Sequence, residues 1–568
     1  MEELFIQPVR ESSNETFYSE MITALLKDPL TKKKADAKKK ELCLKYRLDV
    51  IPSDIQLLLH AKQEDIPKLN IITKPVRTQS GVSPIAVMTA PARCPHGKCT
   101  FCPGGIGSYF GDVPQSYTGH EPATLRGMRN DYDAYLQVMN RLEQYTVLGQ
   151  CPQKAEIIIM GGTFPSTPKE YQDAFVASIF KAMNDFEEFY TKNNIDILKF
   201  KKFFELPGVL GAKSRVASVK QKLIELKGTP NLNTEQQRNQ RAKIRCIGLT
   251  IETKPDWGML SHANQMLKLG CTRVELGVES VYDEALKATH RGHTIKDTKK
   301  SIQILKDVGF KINAHYMPGL PSTTKEMDIL GMQELFTNQE YCPDMLKIYP
   351  TMVSPGTSLW HEWKAGKFTP LTTKEAAEII AEFKKSVPRY CRIMRVQRDV
   401  PTKWWAAGVG ITNLRQHIHE KYKRACQCIR CREPKGNKIN HSAVKITIQT
   451  YSASNGTEHF ISANDTDNDF IIGFCRLRFP SECLREEITP KTALIRELHV
   501  YGTATPLGTK GTVQHKGYGK QLLQQAEEIA RQAGKKKMIV LAGIGVREYY
   551  VKQGYVLEGP YMSKELEN

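Results

Sequence analysis

Nowhere in the 568 residues is there a run approaching the roughly 20 consecutive apolar residues of a membrane-spanning helix. The opening Met1-Glu2-Glu3 also lacks the basic start of a signal peptide. An intracellular, cytoplasmic chain with no membrane partner is expected. Internal repeats and long low-complexity segments are lacking too, although the stretch 32–40 is locally rich in lysine. Acidic residues are in deficit, 61 Asp and Glu against 81 Lys and Arg, which leaves a net charge of +20. Nor do the fourteen cysteines suggest a disulfide framework: thiols stay free in a reducing compartment, and six of the fourteen fall in two tight groups that point to metal.

What is present describes a globular protein. Apolar residues at 40% and charged residues at 25% suit a packed interior, and the length calls for two or three domains. The basic excess is clustered, with nine basic against three acidic residues in 27–47, twelve against three in 199–245 and eight against two in 415–438. Each Lys or Arg placed beside a phosphate releases a condensed counterion, so a nucleic acid partner is favoured over merely solvated faces.

Residues 1–75 read as a basic helical arm, with Phe17, Met21, Leu25 and Leu26 at helical spacing. From 76 to 404 short apolar runs alternate with amphipathic stretches, the pattern of parallel strands joined by crossover helices. Strands are predicted at 155–160, 246–251, 273–277, 311–316, 345–350 and 393–397, with helices such as 168–184 and 295–308. An α/β fold with a partial or full β/α barrel follows. The polar stretch 199–241 reads as an insertion or a mobile loop. A linker is placed at 405–440, and 441–568 reads as a second α/β domain with strands at 444–451, 458–463, 470–479 and 494–501 and a helix at 517–532.

Cys94, Cys99 and Cys102 form C-x4-C-x2-C in a loop that continues Pro103-Gly104-Gly105. Three thiolates leave one iron of a 4Fe-4S cube open, where the amino and carboxylate groups of S-adenosylmethionine chelate before an electron cleaves the carbon-sulfur bond. A zinc site with His96 as fourth ligand is the alternative. Downstream, strand 155–160 runs into Gly161-Gly162-Thr163-Phe164, where glycines let backbone approach a bound cofactor. Glu252, Lys254, Glu275 and Glu279 stand at strand ends, where barrels place polar chemistry.

Gln514-His515-Lys516-Gly517-Tyr518-Gly519 fits Q-x-x-G-x-G directly before an amphipathic helix, whose positive end suits the pyrophosphate of coenzyme A. It follows Glu497-Leu498-His499-Val500, a strand able to pair with the pantetheine arm, and precedes Tyr549 and Tyr550. The order is that of a GNAT acetyltransferase. Tyr549 and Tyr550 are candidates for positioning the thioester or protonating the departing thiol, with core aromatics the alternative. Near the domain junction Cys426, Cys428 and Cys431 form C-x-C-x2-C, suited to three ligands of a structural zinc, with His417, His419 and His441 as candidates for the fourth.

These motifs together, with Ser116-Tyr117-Thr118-Gly119, Arg496 to Gly502 and Gly559-Pro560-Tyr561-Met562, resemble the catalytic subunit of Elongator over about residues 75–566. The resemblance implies a radical S-adenosylmethionine barrel followed by a GNAT domain. It also implies that Lys154, Glu497, Leu498, His499, Val500, Tyr518, Gly519, Lys520 and Tyr550 contact acetyl-CoA, beside Gln514, Lys516 and Gly517 of the glycine motif. The implied reaction forms 5-carboxymethyluridine at the wobble position 34 of tRNA. The four-residue first cysteine gap resembles archaeal and bacterial members, which leaves open whether the chain acts alone, as a homodimer or with further Elongator subunits. A protein lysine acetyltransferase with a structural cluster and a non-catalytic RNA-binding scaffold are the rival readings.

Overall fold

The computed structural model describes residues 11–27, 32–48, 51–52, 54–62, 64–65, 68–69, 81–148, 150–192, 195–207, 212–422, 426–502 and 517–567. The chain divides into two compact units, the first gathering Met1–Ser83, Tyr135–Ala155 and Ala177–Arg245. In this unit helices Glu11–Lys27, Lys32–Lys45 and Asp54–His60 share a small core. Phe17, Met21 and Leu25, four residues apart, stack on one helix face and bury against Leu42 and Leu57. Lys39 of the lysine-rich stretch is buried and pairs with Asp54 at 2.5 Å, so it serves the fold, while Lys34 and Lys40 are exposed.

The stretch 199–241, read from sequence as an insertion or a mobile loop, departs from the loop alternative. It contributes to helices Ile197–Phe203, Lys213–Lys227 and Leu232–Asn239. Phe200 and Phe204 pack against Phe186 and Phe189, and Val219 and Leu223 are buried one helical turn apart. Few apolar anchors suffice here because buried polar pairs assist: Arg215 meets Glu143 at 2.5 Å, and Asn184 donates to Glu235 at 2.8 Å.

The second unit, Pro84–Ala134, Glu156–Val176 and Cys246–Asn568, holds two large sheets. Strand β1 is Val82–Met88; a short ribbon, β2 (Gly105–Ser108) and β3 (Gly111–Val113), lies in the loop after it. Then follow β4 (Lys154–Met160), β5 (Arg245–Thr253), β6 (Arg273–Glu279), β7 (Lys311–Tyr316), β8 (Met345–Ile348) and β9 (Arg392–Val396). They hydrogen-bond in the order β1-β4-β5-β6-β7-β8-β9, parallel from β5 to β9, as a partial β/α barrel. The outward face of β7, Ile312 and Ala314, is fully buried under crossover helices such as Ile295–Asp307.

The second sheet runs through β10 (Val444–Ala453), β11 (Gly456–Asp465), β12 (Phe470–Phe479), β13 (Thr492–Val500), β14 (Lys537–Val540), β15 (Val556–Glu558) and β16 (Tyr561–Glu565). Its order is β10-β11-β12-β13-β14-β16-β15, antiparallel except for the parallel β13-β14 pair. Helix Tyr518–Gln532 lays Leu522, Leu523, Ala526 and Ala530 on this sheet, a stripe at i, i+4 and i+8.

Buried ion pairs fix this sheet against the N-terminal ends of the barrel strands. Asp344, just before β8, receives Arg496 of β13 at 2.6 and 2.7 Å, while Asp307, just before β7, receives Arg478 of β12 at 2.6 and 2.8 Å. Glu458 accepts from both arginines. All five side chains are essentially unexposed, so removing one partner would strand a charge at a cost of about 3–5 kcal/mol. Among the described residues no helix is long and apolar enough to cross a membrane.

Candidate active site

The cysteine loop leaves the C-terminal end of β1. Cys94 is half-buried and Cys99 and Cys102 are buried, each thiol in its own setting. Cys94 Sγ lies 3.9 Å from Thr163 Oγ1; Cys99 Sγ lies 3.6 Å from Arg291 Nη1 and 3.3 Å from His96 Nε2; Cys102 Sγ accepts the Ser116 N–H at 3.3 Å. Burial pushes the Cys94 thiol up and that of Cys102 up to about 11. Metal-free, these are poor nucleophiles, and a metal ion is what would draw them into the thiolate form. The three do not bring their sulfurs within 4.8 Å of one another, as ligands of one ion would. That separation, with donors aimed at two of the sulfurs, suits a cluster whose thiolates bind different irons.

Gly161 and Gly162 follow β4 with φ of +124° and +83°. A Cβ on Gly161 would stand 2.1 Å from Thr89 Oγ1, and one on Gly162 would stand 3.1 Å from Gln115 Cβ and 4.0 Å from Cys94 Sγ. The glycine pair is what lets this turn close on the cysteine loop.

Lys254 is buried beside Asp256 at 3.3 Å, and burial pulls its ammonium down. Glu252 accepts the Tyr117 hydroxyl at 2.8 Å and lies 3.9 Å from Lys347. Burial holds the Glu252 carboxyl above the ordinary range, whereas Glu275, more fully buried, is held well below it by Lys347, His315 and Arg273. Two neighbouring carboxyls are thereby set to different protonation behaviour. Glu279, at φ +63°, pairs with Arg291, whose Nη2 also donates to the Gly277 carbonyl at 2.9 Å. Arg291 and Lys347 escaped the sequence reading, and Tyr117 was read only as part of a motif, because the fold and not the sequence spacing brings them here.

In the second sheet β13 and β14 pair only from Thr492 to Ile495 against Lys537 to Val540 and then part. Glu497, Leu498, His499 and Val500 keep β12 on one side, and among the described residues nothing pairs with their opposite backbone edge, which suits an extended amide chain. Leu498 and Val500 pack on the sheet's core, and Glu497 and His499 point the other way. Burial favours a neutral Glu497, but Lys311 and Arg476 hold its carboxyl down; burial lowers His499 to about 4. Gly517 takes φ +84° at the entrance of helix Tyr518–Gln532, whose first N–H groups have no side-chain cap among the described residues and suit an anion. Lys520 is exposed on its first turn. Gln514 and Lys516 lie outside the described residues.

Of the tyrosine pair, Tyr549 presents its hydroxyl at this helix start, 3.5 Å from where a Gly519 Cβ would be, whereas Tyr550 is buried in the core against Tyr555. Lys154 opens β4, and burial, then nearby Arg245, lower its ammonium.

Cys426, Cys428 and Cys431 draw their sulfurs within 4.8 Å of one another, the spacing that suits a single ion. His419 lines a cavity with Cys426 and Cys431. His441 is committed elsewhere, its Nδ1 3.0 Å from the Tyr518 hydroxyl.

Residues 214–330 match the Radical SAM superfamily, 343–424 the Radical_SAM C-terminal domain and 422–555 the Acetyltransferase (GNAT) family. The chain is 44% identical to the tRNA uridine(34) acetyltransferase of Methanocaldococcus infernus over 94% of its own length and 96% of that protein. It is 39% identical to Elongator complex protein 3 of Homo sapiens over 88% of its own length and 87% of that protein. The solved structure of the archaeal Methanocaldococcus infernus Elp3 with an N-terminal deletion superposes with a TM-score of 0.69 at 40% identity, covering 86% of this chain and all of that one.

Proposed function

The chain belongs to the Elongator complex protein 3 family, and from that premise we propose that it is a tRNA-modifying enzyme that builds a carboxymethyl group on the wobble uridine with acetyl-CoA as carbon source. The observation that carries this reading is one rigid set of parallel strands with a cluster-type cysteine loop at its C-terminal end and a parted acetyltransferase-type sheet at its N-terminal end. An enzyme that only acetylates amines has no use for the first.

When bound, the 4Fe-4S cluster and S-adenosylmethionine would supply a radical able to take hydrogen from the methyl group of acetyl-CoA; that carbon would bond to C5 of uridine as C5 loses its proton and one electron returns to the cluster, and water would cleave the thioester to release coenzyme A. The chain's own residues prepare that chemistry. Cys94, Cys99 and Cys102 would hold the cluster, and buried Lys254 and Arg291 present cationic groups beside it. The Gly161-Gly162 turn gives the amino-acid end of S-adenosylmethionine room against backbone. At the other end the free edge of β13 takes the pantetheine arm, the N-terminus of helix Tyr518–Gln532 takes the pyrophosphate, and Tyr549 is placed to protonate the departing thiol.

Exposed lysines such as Lys34 and Lys40 offer phosphate contacts to tRNA. A structural zinc on Cys426, Cys428 and Cys431, with His419 as candidate fourth ligand, and a cytoplasmic setting belong to the same reading. Mass spectrometry of tRNA nucleosides after anaerobic reaction tests it: 5-carboxymethyluridine is expected, and unmodified uridine with acetylated lysine on protein would overturn it.

A further inference from the structure

A packed β/α barrel fills its interior with layers of branched apolar side chains. This one carries charge instead. Its lowest layer sets Arg273 against Glu156 at 2.6 Å, with Lys311 beside them. Above it Glu275 accepts from Asn313 at 3.1 Å and His315 at 3.2 Å and pairs with Lys347. Lys347 in turn reaches Glu252 at 3.9 Å, and Glu252 reaches Tyr117 at 2.8 Å.

Both ends of this run meet a site. At the bottom Lys311 and Arg273 face Glu497 on the open edge of β13. At the top Tyr117 follows Ser116, whose N–H donates to Cys102 Sγ at 3.3 Å. Burying so many charges is costly, and apolar residues of similar volume would stabilise the barrel at least as well.

Two polar atoms inside the run have no hydrogen-bond partner: the donor Arg273 Nε and the acceptor Asn313 Oδ1, on residues 5% and 0% exposed. They belong to adjacent strands and lie diagonal to each other, because β6 and β7 pair Arg273 with Lys311 and Glu275 with Asn313. One free donor and one free acceptor on neighbouring strands complement the carbonyl and N–H of a secondary amide, the group repeated along pantetheine. The seven residues of β6 span roughly 20 Å, a length that an extended arm can thread. The long side chains in the way, Lys311 and Lys347, are unbranched and have more rotamers open to them than branched apolar ones.

We propose that the barrel interior receives the pantetheine arm of the thioester, with Arg273 and Asn313 taking an amide, so that the acyl group is carried from the β13 edge toward the cysteine loop. This rests on the reading of acetyl-CoA at β13 given above.

The test is made on the cluster-loaded protein carrying Asn313→Cys, treated with bromoacetyl-CoA. The introduced thiolate would displace bromide from the bromoacetyl carbon and form a thioether. Peptide mass mapping should find the adduct at position 313, suppressed by excess acetyl-CoA, and none in Ala314→Cys, which faces the helices from the same strand. Should Asn313→Cys fail to fold, Arg273→Lys keeps the charge beside Glu156 but removes the free donor. Its affinity for acetyl-CoA should fall about tenfold, with no change for adenosine 3',5'-bisphosphate, which has no arm. Bromoacetyl-CoA that binds yet leaves position 313 clean, or equal loss for both ligands in Arg273→Lys, would overturn the passage alone. Failure of the wild-type protein to bind bromoacetyl-CoA or acetyl-CoA at all would overturn the cosubstrate reading with it.

Discussion

The two cysteine triads have the same number of thiols, spread over nine residues in one and six in the other, yet they set those thiols in different arrangements. Cys426, Cys428 and Cys431 converge to within 4.8 Å, and a tetrahedral ion with bonds of ~2.3 Å needs sulfurs ~3.8 Å apart. Cys94, Cys99 and Cys102 stand farther apart, each with its own neighbours, Thr163, Arg291 and Ser116. The first arrangement has the sulfur spacing of a single ion. The second keeps a face toward buried cations and the polar barrel interior. In sequence the two share the C-x2-C step and differ only in the first gap, four residues against one; the surroundings separate them further.

The largest effect that would break this comparison comes from Cys94→Ser, Cys99→Ser and Cys102→Ser. Each should abolish iron absorbance and S-adenosylmethionine cleavage while circular dichroism stays unchanged; retained iron would remove the distinction between the triads. Next is Gly161→Ala, whose Cβ would meet Thr89 Oγ1 at 2.1 Å on a backbone at φ +124°. A local cost of about 1–3 kcal/mol is expected, seen as reduced cluster loading measured by iron content, and normal loading would show the turn to be tolerant.

Substituting Cys426, Cys428 or Cys431 by Ser should act on stability, lowering the melting temperature on the order of 5 °C with loss of zinc, while the iron absorbance persists. Loss of iron colour in these variants would mean that the two sites are not independent. The smallest effect sharpens the contrast through pH. In the cluster-free protein Cys102 titrates at about 11, raised from the ordinary thiol range by burial. Its thiolate fraction therefore rises about tenfold per pH unit between pH 8 and 10, and alkylation by iodoacetamide should rise with it. The unfolded thiol releases its proton earlier, so the stability tied to this group is full below its ordinary pKa and is lost as pH climbs toward 11. A flat alkylation rate across that range would contradict the burial argument.

Much of the barrel was readable in advance because its strands are short apolar runs flanked by turn residues. The 311–316 prediction coincides with β7, and 155–160 differs from β4 by one residue. The helices in 199–241 were missed because charged residues dilute the apolar period, and burial there rests on scattered anchors such as Val219 and Leu223. The cysteines and glycines were legible as motifs, since chemistry fixes their spacing. Arg291 was not, because its role comes from crossing to Cys99 and Glu279 in space. A signal did exist for the barrel interior: Arg273, Glu275, Lys311, Asn313 and His315 alternate with apolar residues at a period of two in strands otherwise expected to be buried on both faces.

The central claim is that acetyl-CoA gives its carbon by radical chemistry. Reaction with acetyl-CoA deuterated in its methyl group measures this most directly. The account predicts deuterium in 5'-deoxyadenosine and the remaining label in the modified wobble uridine. Unlabelled 5'-deoxyadenosine together with fully deuterated acetyl groups on lysine would contradict it.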